Sequence, residues 1–235
     1  MRTALCVFIC LGISTAFSYD DPTVATFSIV AVDPETGEVG VAVQSKIVGV
    51  GSIVPFAKAG VGAIATQAYA NVGYGPLGIM ALEAGMNAEA VINLLTRDDP
   101  LRELRQVGVI AADGKSASFT GDECMDWAGG IAGENFAVQG NILTSKEVVE
   151  AMAKAFQETE DVLAVRLLAA LHAGEEAGGD SRGKQSAALL VAREGWGYGG
   201  LNDQFRDIRV DEHQRPIVEL ERVYWKHRAL FERPD

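Results

Sequence analysis

Residues 26–46, TFSIVAVDPETGEVGVAVQSK, constrain the fold of this chain more than any other stretch. Two apolar segments rich in β-branched residues flank Asp33-Pro34-Glu35-Thr36-Gly37, and that spacing predicts a β-hairpin. Pro34 presets a turn φ, Gly37 can take a positive φ, and Asp33 can bond its own backbone across the corner. The segments must therefore fold back on each other. Neither alternates cleanly between apolar and polar residues. Phe27, Ile29 and Ala31 point to one side, while Val30 and Val32 point to the other with Thr26 and Ser28. Both faces are expected to be covered, which makes this a central hairpin.

Ahead of it stand Arg2, an apolar run over residues 4–13 and the small residues Ser14 to Ala16. A bilayer span takes roughly 20 apolar residues, so this shorter run reads as a secretory signal over residues 1–18. Cleavage as late as residue 25 also fits, and it would leave Thr26 first. Loss of the signal removes Cys6 and Cys10, so Cys124 remains as the sole thiol and no internal disulfide can form. Stability then rests on a packed core. Residues 26–235 are long enough for one, and they are expected to form a single domain. The net charge of −12, from 20 Lys plus Arg against 32 Asp plus Glu, weighs against nucleic acid and against basic membrane anchoring.

Further along, residues 47–60 read as an extended segment interrupted by Gly49, Gly51 and Pro55, with Lys58 as an isolated cation. Residues 62–69 form a third strand. Gly75-Pro76 opens a helix whose stripe Leu77, Met80, Ala81 and Ala84 is expected to face inward. Asn87 caps a second helix with Ala88, Val91, Ile92 and Leu95 inside. Strands are expected at 105–112 and 115–120, joined at Asp113-Gly114, and at 135–139, leading into a turn at Gly140-Asn141. Helices follow at 145–157 and 161–172, then a strand at 186–193, an edge strand at 208–210, and a helix from Pro216 with Ile217, Leu220, Val223 and Tyr224 inward. Strands, two helices, strands, two helices, strands: this order implies segregated layers. The expected fold class is α+β, a four-layer αββα sandwich of two mostly antiparallel sheets flanked by helices.

In order along the chain, TFSIVAVDPETGEVGVAVQSK, GVGAIATQA, RQVGVI, GNIL, AGGDSRGKQSAAL and RVDEHQRPIVEL resemble the family known as domain of unknown function 1028. That family is classed with the N-terminal nucleophile (Ntn) hydrolases, whose αββα sandwich agrees with the layers above. The wider resemblance to proteasome-type Ntn hydrolases implies a threonine nucleophile at the start of the hairpin, a lysine near it, a glycine-bearing oxyanion turn and a later Asp-Ser pair. Thr26, Lys58, Gly140 with Asn141, and Asp180 with Ser181 stand in that order.

A threonine hydroxyl needs a base. The α-amine of an N-terminal residue, with a pKa of about 7.7–8, can serve near neutrality. A nearby ammonium from Lys58 would lower that pKa further, and Lys46 competes for the same part. Gly140 and Asn141 would hold the oxyanion, with Gln67 and Asn71 lining a substrate pocket. The plain alternatives stay open: Thr26 as a β-branched strand starter, Lys58 as a snorkelling surface cation, and Gly140-Asn141 as a strand-to-helix turn. Asp211 and His213 share a face and could ligate a metal, with Glu219 nearby, or form a surface ion pair with Arg209 or Arg215. Cys124 has no adjacent histidine and reads as a partly buried thiol.

No cofactor is implied. The leading expectation is an exported amide hydrolase acting on a small peptide or amide, with homo-oligomerisation left open. A non-catalytic ligand-binding protein on the same fold and a metal-dependent hydrolase are the alternatives.

Overall fold

The computed structural model describes residues 26–232; the signal boundaries expected at residues 18 and 25 lie outside them. Strands β1 (Thr26–Asp33) and β2 (Glu38–Ser45) form the expected hairpin, pairing from Thr26↔Ser45 to Asp33↔Glu38. The turn closes as its residues dictate: the Gly37 N–H donates to Asp33 O at 2.8 Å, the Glu35 N–H donates to Asp33 Oδ1 at 2.9 Å, and Gly37 has φ +73°. Next come β3 (Pro55–Lys58), β4 (Gly62–Ala68), α1 (Tyr74–Glu83), α2 (Ala88–Thr96), β5 (Arg105–Ala111) and β6 (Ser116–Thr120). They are followed by β7 (Gly129–Gly133), β8 (Phe136–Asn141), α3 (Glu147–Glu158), α4 (Leu163–Glu176), β9 (Ser186–Ala192), β10 (Gln204–Val210) and α5 (Pro216–Leu230).

The architecture is mixed α+β, with two sheets and five helices among the described residues. One sheet has the order β10-β9-β2-β1-β8-β7 and the other β3-β4-β5-β6, and neighbouring strands pair antiparallel. The hairpin sits at the middle of the larger sheet, and its two faces divide as the sequence predicts. Phe27, Ile29 and Ala31 join Val149, Met152 and Phe156 of α3, Leu167 and Leu171 of α4, and Ile217 and Leu220 of α5 in one apolar cluster. Val30, Val32, Val41 and Val43 join Ala63, Ala65 and Ile110 of the smaller sheet in a second. A third cluster ties Ile64, Val107 and Val109 to α1 and α2.

Several elements differ from the sequence expectation. Residues 47–60 contain a 3₁₀ turn over Val50–Ser52 before the short edge strand β3, where Pro55 costs no ladder hydrogen bond. The stripe expected to bury α1 does not: Leu77 is 48% exposed and Met80 64%. Its buried face is Tyr74, Gly75, Gly78, Ala81 and Leu82. The reason is close approach. A Cβ on Gly75 would lie 2.3 Å from the Phe56 ring, and one on Gly78 would lie 2.2 Å from Ile64 Cδ1, so the helix reaches the sheet through its glycines. Strand β7 went unread because three of its five residues are glycine, and its ladder is supplied by β8.

The close contact at Gly75 can be tested. Gly75→Ala forces the Phe56 ring to move and is expected to lower unfolding free energy by about 1–3 kcal/mol. Met80→Ala, on the open face of the same helix, should change it by less than about 0.5 kcal/mol. Chemical denaturation of the two variants checks this.

Candidate functional site

Side chains alternate along strands, so the residues of β1 that face the smaller sheet are Thr26, Ser28, Val30 and Val32. The last two are apolar and pack in the inter-sheet cluster, but the first two are polar and fully buried. Directly opposite Thr26 stand Ser45 on β2 and Asn141 on β8, and Ser45 in turn faces Ser186 on β9. Register partners in antiparallel strands share a face, so Asn141, Thr26, Ser45 and Ser186 form one buried polar row across four strands. The Thr26 hydroxyl donates to Ser45 Oγ at 3.1 Å. Ser186 accepts from the Val50 N–H at 3.1 Å and donates to the Ile47 carbonyl, so it holds the turn after β2.

From the smaller sheet, Gln67 on β4 and Gln106 on β5 reach across to this row. Gln67 Nε2 donates to Gln106 Oε1 at 2.8 Å and to Thr26 O at 3.3 Å, while Gln67 Oε1 accepts from Ser28 Oγ at 2.6 Å. Gln106 Nε2 donates to Gly140 O at 2.8 Å and to Thr120 Oγ1 at 2.9 Å. Asn141 Nδ2 donates to Gln106 Oε1 at 2.9 Å, and Gln139 Nε2 donates to Ser28 Oγ at 2.6 Å. Four carboxamides, all without solvent exposure, are thereby linked between the sheets. Two of their oxygens, Gln139 Oε1 and Asn141 Oδ1, are buried without a partner.

The end of the row is framed by backbone. Leu143 bridges Asp180, the Ser181 N–H donates to Ile142 O at 2.9 Å, and the Lys46 N–H donates to Asp180 Oδ2 at 3.2 Å. Residues 180–181 thus tie the end of β8 to the end of β2, on either side of the strand that starts with Thr26. The buried Asp180 carboxylate also takes the Arg182 N–H at 2.9 Å and the Arg182 guanidinium at 2.9 Å. Ala68, closing β4, has φ 65°, and Ile142, just past Asn141, has φ 53°. A left-handed conformation is unfavourable for a β-branched residue, so strain is held beside the row.

The structure therefore gathers Thr26, Asn141, Gln67, Asp180 and Ser181 at one end of the inter-sheet space. Gly140 and Asn141 are the last residues of β8 rather than a turn. Lys58 is not brought to this group. It pairs with Gly62 at the far end of β4 from Gln67, roughly 16 Å along the strand, and its ammonium meets Glu83 at 2.6 Å on the surface. Lys46, immediately after Ser45, is the lysine nearest Thr26 in the chain path.

Asn71 belongs to a neighbouring cluster, donating to Asp99 Oδ2 at 3.3 Å. That carboxylate also takes the Tyr74 hydroxyl at 2.6 Å and Arg105 Nε at 3.0 Å, and both members of the ion pair are nearly buried. Burial opposes ionisation of Asp99, but the hydrogen bonds from Arg105, Tyr74, the Leu101 N–H and Asn71 outweigh it and hold its pKa at about 2. Burial first, and then the adjacent Asp99 carboxylate, push the Tyr74 hydroxyl upward. Cys124 donates to Arg105 O at 3.3 Å, and burial raises its thiol to about 11, so it is no nucleophile at neutral pH.

Asp211 and His213 lie at the same end of the larger sheet, beyond β9: the His213 N–H donates to Gln185 O, and the Gln185 N–H donates to Ser45 O. The Asp211 carbonyl accepts from the Gly49 N–H at 2.9 Å, and His213 Nδ1 accepts from the Arg215 N–H at 3.0 Å. His213 borders a cleft of about 530 Å³ with Lys46, Lys184, Gln185 and Arg215. Among the described residues, no three His, Cys, Asp or Glu side chains gather as a metal set, and no helix is long and apolar enough to cross a membrane.

Residues 26–220 match the family of unknown function DUF1028. The chain belongs to the DUF1028 family. A crystal structure of the DUF1028 protein SPO2555 from Silicibacter pomeroyi is similar, with 34% identity and a TM-score of 0.80 over 87% of this chain and 86% of that one. No curated protein matches. For this DUF1028 chain, the sequence pointed to Gln67, Asn141 and, from the Asp99 cluster, Asn71, but not to Ser28, Ser45, Gln106, Gln139, Asp99 or Arg105. The signal available was one glutamine in phase with inward apolar residues on each of three strands, as in GAIATQA, RQVGVIA and FAVQGN.

The depressed Asp99 carboxyl has a consequence in acid. Its folded pKa of about 2 lies below the unfolded value of about 3.9, so the unfolded state binds more protons between them and stability falls as pH drops through that window. Unfolding free energy measured from pH 5 to pH 2 should fall more steeply for the wild type than for Asp99→Asn. Parallel profiles would contradict this.

Proposed function

We propose that this DUF1028 protein is an exported Ntn-type amide hydrolase on an αββα sandwich, with Thr26 as its mature first residue. The observation that carries the reading is the placement of Thr26. It opens the central strand, its hydroxyl is engaged by Ser45, and the ends of β2, β4 and β8 converge on it with the segment 180–181. Strain at Ile142 beside that point is the kind that accumulates at functional positions. The three apolar clusters support the layered reading: helices against the larger sheet, the two sheets against each other, and helices against the smaller one.

In this mechanism the α-amine of Thr26 takes the Oγ1 proton as Oγ1 attacks an amide carbonyl, forming the C–O bond of a tetrahedral adduct. Collapse breaks the C–N bond, and the ammonium returns its proton to the leaving nitrogen. Water, activated by the same amine, then hydrolyses the ester and regenerates Thr26. Asp180 fixes the backbone after Ser45, and Ser181 fixes the backbone after Asn141. Lys58, ion-paired with Glu83 at the far end of β4, has no part in it. The substrate class is a small peptide or amide.

Intact mass and N-terminal sequencing of the exported protein test this, wild type beside Thr26→Ala. The wild type is expected to begin at Thr26. If Thr26→Ala retains upstream residues, the chain cuts itself; if it too begins at residue 26, a peptidase makes the cut and the amine is free in either case. A wild type that keeps Tyr19 would overturn the mechanism.

A further inference from the structure

Asn141 is the register partner of Thr26, fully buried, and its side chain is only half used. Nδ2 donates to Gln106 Oε1 at 2.9 Å, while Oδ1 has no partner. A buried carbonyl oxygen without a donor is costly, so the position asks for a proton donor that the described residues do not supply.

The direction of the β1 backbone says where that donor comes from. One residue beyond the β1–β8 ladder, the Val32 N–H donates to Asn135 O at 3.0 Å. N–H and C=O groups point to alternate neighbours with period 2, so residues 32, 30, 28 and 26 all aim their nitrogens at β8. The Thr26 nitrogen therefore faces Asn141, on the opposite side from Ser45.

We propose that Asn141 is the positioning residue for the Thr26 α-amine rather than an oxyanion donor; this rests on the reading of Thr26 as the mature N-terminus. A neutral amine has two N–H bonds and one lone pair. The Asn141 backbone carbonyl takes one N–H and Asn141 Oδ1 takes the other, which turns the lone pair toward Thr26 Oγ1 to receive its proton. Gln106 completes the device: by accepting from Nδ2 it fixes which end of the Asn141 amide faces Thr26. The faces of β2, β4, β5 and β8 toward this point present Ser45, Gln67, Gln106 and Asn141, all neutral. The charged and titratable groups nearby are Asp180 with Arg182, Lys46 beyond the end of β2, and Lys184, His213 and Arg215 along the cleft that Lys46 lines.

The test is a titration of the amine itself. Exported protein labelled with ¹³C,¹⁵N-threonine is followed by NMR through the Thr26 Cα shift as a function of pH, for the wild type, Asn141→Asp and Asn141→Leu. A carboxylate in place of the amide is expected to raise the midpoint by about one to three pH units, and removal of the acceptor is expected to lower it. A merely structural residue would leave it in place, so coincident midpoints in folded variants overturn the proposal while leaving the Thr26 reading intact. Absence of a titrating Thr26 amine in the wild type ends both. Should the variants fail to fold, a crystal structure of the exported wild type decides. Thr26 N within about 3.2 Å of Asn141 Oδ1 supports the proposal, and a separation beyond about 4 Å overturns it.

Discussion

The side chain of Gln67 cannot lie fully buried between two sheets unless both halves of its amide find partners, and the way it finds them organises the rest of the site. Its oxygen takes the Ser28 hydroxyl and its nitrogen reaches Gln106 and the Thr26 carbonyl. Each bond adds about 0.5–1.5 kcal/mol net, but an unmade one would cost as much or more, so the relay fixes the sheets' relative placement more than it stabilises them. Space for it is cleared by Gly108, where a Cβ would lie 2.1 Å from Gln139 Oε1. An apolar filling of the same volume would hold the sheets together without saying which residues must face each other.

The relay reaches the first residue of β1, where Gln67 Nε2 donates to Thr26 O. Strand ends ordinarily fray, yet here the ends of β2 and β8 are tied together by Asp180 and Ser181, and the left-handed Ile142 is held in place beside them. Rigidity at that point is what a nucleophile requires, since it must be held in productive geometry by surroundings that are themselves fixed. The side chains that face that point from β2, β4, β5 and β8 are neutral, and Asp180 beyond them is paired with Arg182.

Much of this was legible in the chain. The hairpin, its turn chemistry and the division of its faces follow from Asp33, Pro34, Gly37 and the phase of Phe27 against Val30. Asn87 marked α2 and its inner face. The stripe of α1 misled because periodicity counts large apolar side chains, whereas that helix is drawn in by what Gly75 and Gly78 lack. Strand β7 carries almost no side chains to read. Among the site residues, Thr26, Asn141 and Gln67 come together because they stand at strand ends that share one edge of the inter-sheet space, and Asp180 and Ser181 join them from the loop between α4 and β9. Lys58 was placed by its rank in the sequence, and rank does not say which end of β4 a residue will meet. Gln106 and Gln139 are each one polar residue in phase with inward apolar neighbours, a signal that stands out only when the three strands are set side by side.

The central claim is that Thr26 is a working nucleophile. The most direct measurement is to treat the exported protein with a peptidyl β-lactone, which acylates activated hydroxyls, and to locate the adduct by mass spectrometry of its peptides. The account predicts one acyl group on the peptide that begins with Thr26, absent from Thr26→Ala. Labelling at Ser45 or Ser181 with Thr26 untouched, or no adduct on folded protein, would contradict it.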